Sequence, residues 1–63
     1  MSGENVKVIV YVDRDGDYFT ARAAVGGVTA TFPDFQTETQ VSRSRKKAIG
    51  YALVEAAVML ERR

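Results

Sequence analysis

Two runs with a period of two flank a cluster of turn residues, and this arrangement decides what the first half of the chain can become. Val6-Lys7-Val8-Ile9-Val10-Tyr11-Val12 puts its valines on one side of an extended backbone and Lys7, Ile9 and Tyr11 on the other. Tyr18-Phe19-Thr20-Ala21-Arg22-Ala23-Ala24-Val25 separates Phe19, Ala21, Ala23 and Val25 from Tyr18, Thr20, Arg22 and Ala24 in the same way. Between them, Asp13-Arg14-Asp15-Gly16-Asp17 contains an Asp-Gly step, whose glycine accepts the positive φ of a tight hairpin turn. The second side of the first run is itself apolar enough to be covered.

Gly26-Gly27 reads as a second tight turn, and Val28-Thr29-Ala30-Thr31-Phe32 as a third strand with Val28, Ala30 and Phe32 inward. Pro33-Asp34 then interrupts the ladder, because proline has no N–H to donate. Phe35-Gln36-Thr37-Glu38-Thr39-Gln40-Val41 reads either as a polar fourth strand or as an extended loop. From about Arg43 to Glu61 the apolar spacing becomes helical. Ala48, Ala52, Ala56 and Met59, flanked by Ile49, Leu53 and Leu60, make a wide face whose alanines let a helix lie close on a sheet. Arg62 and Arg63 suit the negative end of that helix. The expected architecture is α+β: an antiparallel meander of three strands, four if Phe35–Val41 pairs, followed by one C-terminal helix packed on one face (βββα). Residues 1–63 are expected to form one small domain, with the polar residues 1–5 frayed.

Composition narrows the chemistry. The chain has no cysteine and no histidine, which removes disulfides, thiolate and imidazole metal sites, and the usual nucleophile and general base. Asp13, Asp15 and Asp17 alternate as in a calcium loop, but that loop needs Gly at its sixth position and Glu at its twelfth, where this chain has Tyr18 and Ala24. The hairpin reading is preferred, and neither a metal nor another cofactor is expected. With no glycine-rich phosphate loop between strand and helix and no serine in a nucleophile elbow, the chain is not expected to be an enzyme. No apolar run approaches membrane-spanning length and Met1 to Asn5 lacks an apolar signal core, so a soluble, cytoplasmic protein without a membrane partner is expected. A core built from 63 residues is thin, and association of identical chains is the expected further source of stability. Tyr51, Val54 and Val58, a narrow stripe roughly opposite the alanines, are the candidate oligomer interface.

Nine basic and eight acidic residues leave a net charge of +1, so function has to be sought in where the charges sit. Ser42-Arg43-Ser44-Arg45-Lys46-Lys47 opens the helix with cations where the positive end of the helix dipole favours acids. A serine-capped helix start has free backbone N–H groups, and with Arg and Lys around it an anion would relieve the repulsion. Arg43, Ser44, Arg45, Lys46 and Lys47 are therefore the candidate nucleic-acid-binding residues, each cation able to touch a backbone phosphate of duplex RNA or DNA. Arg22, on a strand face expected to stay open, is a further candidate.

Two stretches resemble known families. Phe19-Thr20-Ala21-Arg22-Ala23-Ala24-Val25-Gly26-Gly27, with Ser44-Arg45-Lys46-Lys47-Ala48 and then Ala52, Ala56 and Leu60, resembles the strand-strand-helix part of the double-stranded RNA-binding domain. That resemblance implies that Arg45 and Lys46 grip phosphates across the RNA major groove; the family's first helix has no counterpart here. Gly26-Gly27-Val28-Thr29-Ala30-Thr31-Phe32-Pro33-Asp34-Phe35 and Ala48-Ile49-Gly50-Tyr51-Ala52, with Asp15-Gly16-Asp17-Tyr18, are similar to the sheet and helix of HicB-like antitoxins. This second resemblance implies a module that binds a small ribonuclease toxin and oligomerises. Gln36-Thr37 stands where that family usually has Pro-Gly, and Ser42 where it has glycine.

Overall fold

The computed structural model describes residues 5–28 and 33–62. Its elements are β1 (Val6–Asp15), β2 (Tyr18–Gly27), β3 (Phe35–Gln36), β4 (Gln40–Ser42) and α1 (Arg45–Glu61). The protein is α+β, an antiparallel sheet followed by one C-terminal helix. β2 is central: β1 pairs along one side, and β3 and β4 share the other.

The hairpin forms as the alternation requires. Asp15 pairs with Tyr18 across Gly16-Asp17, and the register runs unbroken to Val6 opposite Gly27. Gly16 has φ of +62° and is the one described residue with a positive φ, the pattern of a type II′ turn. The expected turn at Gly26-Gly27 is not made. Both glycines continue β2, opposite Lys7 and Val6, with ordinary strand φ sign. Ten residues of β1 demand ten partners, and a glycine pair can serve as strand where its neighbour supplies the register. Of the expected third strand, Val28 is an exposed turn residue and 29–32 lie outside the described residues. The expected fraying likewise falls outside them, apart from Asn5.

Phe35–Val41 joins the sheet, interrupted in the middle. Phe35 and Gln36 pair with Val25 and Ala24, and Gln40, Val41 and Ser42 with Ala21, Thr20 and Phe19. Residues 37–39 therefore stand opposite only Arg22 and Ala23, so β3 and β4 are one strand carrying a bulge. Thr37 makes the bulge tolerable. Its N–H donates to the Ala23 carbonyl at 2.8 Å, and its hydroxyl oxygen accepts the Ala23 N–H at 2.9 Å, standing in for a missing ladder carbonyl. The same hydroxyl donates to the Glu38 carbonyl at 3.1 Å. Asp34 also enters the ladder, donating to the Val25 carbonyl at 2.8 Å, so pairing begins immediately after Pro33.

The helix lies on the face carrying the odd-numbered residues of β2. Ala21, Ala23 and Val25 meet Ala48, Ala52 and Ala56, with Val10, Val12, Phe19, Phe35 and Leu60 packed around them. Val25 is the one large side chain fully buried among the described residues. A buried alanine methyl contributes only about 0.8 kcal/mol where a full Val or Leu contributes about 2, so the half-buried rim carries much of the apolar stabilisation. Leu53, expected to flank the packed face, is exposed. It sits about 100° round the helix from Ala52, at the margin of the packed face, where Ile49 on the same flank one turn earlier is half-buried.

Two substitutions test this account. Thr37→Val keeps the shape but strands the buried Ala23 N–H, and should cost about 1–3 kcal/mol in denaturant unfolding. Gly50 sits inside α1, and a Cβ there meets nothing within 4 Å. Gly50→Ala should therefore raise stability by up to about 1 kcal/mol, seen as a higher melting temperature.

Candidate nucleic-acid interface

The first turn of α1 is held by two serines in succession. Ser44 is the N-cap, with φ −102° and ψ 122°, and its side chain accepts the Lys47 N–H at 3.3 Å. The Ser44 N–H in turn donates to Ser42 Oγ at 3.1 Å, fixing the chain as it leaves β4. This cap explains why the helix begins at Arg45 rather than at Arg43, two residues later than the spacing predicts: Ser44 needs an extended backbone to reach back to Lys47. The N–H groups of Arg45 and Lys46 point out of the first turn without an intrahelical acceptor. No acidic residue stands in that turn. Among the described residues the side chains of Arg45, Lys46 and Lys47, all exposed, make no hydrogen bond or ion pair.

Three other arginines are engaged with aromatic rings. Arg43, before the helix, stacks on Tyr18 with its guanidinium 5.4 Å from the ring centroid and its Nη2 3.5 Å from the phenol oxygen, at the limit of a hydrogen bond. Arg22 lies 4.6 Å over the Tyr11 ring and donates through Nε to Gln36 Oε1 at 3.2 Å. Arg14 lies 5.8 Å over Phe19 and donates to the Gly16 carbonyl at 3.1 Å. The structure thus gathers Ser44, Arg45, Lys46 and Lys47 on one helix turn and sets Arg43 beside it. Arg22 is apart, on the sheet face that α1 does not cover. Sequence reading missed Tyr11, Tyr18 and Gln36 as the groups that hold these arginines. Tyr11 was accessible in principle: once Gly16-Asp17 is the turn, counting outward puts Tyr11 opposite Arg22.

Position modifies the electrostatics of the helix start. β4 runs antiparallel to β2 and ends with Ser42 beside Phe19, so α1 begins at the hairpin-turn end of the sheet. Asp13, Asp15 and Asp17 belong to that same end. The basic cluster is therefore a local patch next to an acidic turn, and its field is short in range. Ile9, Tyr11, Tyr18 and Val41 remain exposed on the uncovered sheet face, and Tyr51, Val54 and Val58 on the outer side of α1. A shallow depression of about 310 Å3 on the open face is bordered by Tyr11, Asp13, Thr20, Arg22 and Thr39. No helix of the described residues is long and apolar enough to cross a membrane.

No protein-family model, no curated protein and no solved structure matches the chain.

The cap can be separated from the charge. Ser44→Ala should cost about 1 kcal/mol of stability, whereas Ser44→Asp keeps a capping oxygen and adds a favourable dipole contact. Thermal melts of the two variants should therefore diverge, with only the alanine variant falling below the original chain.

Proposed function

We propose that the protein is a small non-enzymatic nucleic-acid-binding module that contacts backbone phosphates through the first turn of α1. One observation carries this reading: Arg45, Lys46 and Lys47 surround a capped helix start with no acid in the turn and no intramolecular partner among the described residues. Each of them stands against the positive end of the dipole, an unfavourable arrangement that a phosphate oxygen accepting from the Arg45 and Lys46 N–H groups would reverse. Arg43, resting on Tyr18, adds a cation beside the turn. The ligand class is duplex RNA or DNA, read through its backbone and not its bases.

The strength and salt dependence follow from the count of contacts. Neutralising about three phosphates gives a salt slope near −2.7, which lowers affinity about 40-fold between 50 and 200 mM salt. Fluorescence anisotropy with labelled RNA and DNA duplexes should show that dependence. Arg45→Glu with Lys46→Glu should abolish binding while circular dichroism stays unchanged, because both side chains are exposed. Equal binding by the original and charge-reversed chains, or no binding by either, would overturn the proposal.

A second reading draws on the open side of the sheet. Ile9, Tyr11, Tyr18 and Val41 expose apolar surface there, which suits a protein-interaction module such as a HicB-like antitoxin that binds a small toxin. An adjacent gene for a small ribonuclease whose product co-purifies with this chain would favour it over nucleic-acid binding.

A further inference from the structure

The two edges of the sheet are built differently. The β3/β4 edge starts directly after Pro33 and is broken by the bulge at 37–39, both of which hinder the addition of another strand. β1 has neither device. Every residue from Val6 to Asp15 is paired with β2 in one continuous register, and among the described residues nothing pairs with its other side. Lys7 is the one charged residue between Val6 and Val12.

The backbone groups that this edge offers can be identified. The carbonyls of Ala23 and Val25 accept from Thr37 and Asp34, so the odd-numbered residues of β2 turn their backbone groups away from β1. Its even-numbered residues bond to β1, and the pairing of Arg22 with Tyr11 and Ala24 with Ile9 makes the odd residues of β1 their partners. The N–H and C=O groups of Val6, Val8, Val10, Val12 and Arg14 therefore point outward, an unpaired row along a β-branched strand.

We propose that this edge pairs antiparallel with β1 of a second copy, with Val10 on the two-fold axis. In an antiparallel ladder, residues whose backbone groups point at the partner must oppose one another, so even-numbered residues face even-numbered ones. Directly opposed side chains share a face, and this keeps the two helices on the same side of the joined sheet. Placing Val10 opposite itself sets Val8 against Val12, Ile9 against Tyr11, and Lys7 against Asp13 twice over. Moving the axis to Ile9 sets Lys7 against Tyr11 and leaves Asp13 opposite Asn5. Moving it to Tyr11 sets Ile9 against Asp13. The Tyr11 register also pairs Lys7 with Asp15, but it opposes Val8 to Arg14 as well as Ile9 to Asp13. Of the three, the Val10 register alone pairs Lys7 with an acid while keeping every residue from Val8 to Val12 opposite an apolar one, with Val6 opposite Arg14 at its ends. It also covers the helix-side flank of β1, where Val6 and Val8 are each 38% exposed because α1 lies mainly over β2 and β4.

Size-exclusion chromatography with light scattering, over a dilution series, tests the assembly and its register. The original chain, of 6.9 kDa, should run as a dimer. Val8→Pro removes an outward N–H without touching a bond to β2, and should give a folded monomer by circular dichroism. Should that variant unfold, the charge variants decide the question alone. Lys7→Asp and Asp13→Lys should each weaken the dimer about tenfold, since symmetry makes each change act twice. The double variant Lys7→Asp with Asp13→Lys should restore it. A monomeric original chain, a dimer indifferent to the single charge changes, a double variant that does not recover, or a dimer abolished by Val54→Ser on α1 would each overturn the proposal.

Discussion

Methyl groups meeting methyl groups set the dimensions of this molecule. Ala21 and Ala23 from β2 face Ala48, Ala52 and Ala56 from α1, all at or below 2% exposure. Small side chains on both layers let the helix axis approach the sheet closely, and the shortest extent of the protein is 15 Å. That closeness gives good packing per atom but little apolar volume. Larger apolar residues have to find places around the contact, and several of them stay outside it. Leu53 and Val54 are exposed on α1 away from that contact, whereas Ile9 and Val41 are exposed because no layer covers the other face of the sheet.

Where two copies of a local signal agreed, the sequence could be read directly. The hairpin combined alternation on both sides with Asp15-Gly16 between, and α1 combined i, i+4 alanines with a serine at its start; both formed accordingly. Gly26-Gly27 was legible only as a turn, because nothing local says that β1 is long enough to demand both residues as strand partners. The bulge was hidden for a related reason. It shifts the alternation by one residue, so Phe35 and then Gln40 and Ser42 share the helix side while Val41 turns outward, 57% exposed. A period-two pattern cannot report its own change of phase. In the candidate site, the serine cap and the free cations were visible in the sequence. The nearby acidic turn was not, since that proximity depends on the direction in which β4 returns along β2.

That proximity gives the basic patch its character. Net charge is only +1, and the acids of the hairpin oppose any long-range attraction by the helix start. An anion must come close before Arg45, Lys46 and Lys47 outweigh Asp15 and Asp17. Arg22 and Arg43 lie over the Tyr11 and Tyr18 rings, contacts that Arg45, Lys46 and Lys47 lack.

β2 is the only described strand bonded on both sides, and it also carries the residues on which α1 rests. Neither β1 nor the β3/β4 strand touches the other through the ladder, so each is tied into the sheet by β2 alone, while lending Val10 and Val12 or Phe35 to the helix contact. β2 is held on every side: releasing it breaks all the ladders of the sheet at once and leaves α1 only its lesser packing on β4 and β1. Fluctuations of the chain are therefore graded from the two edges inward, and the loss of the central strand is the step that coincides with global unfolding.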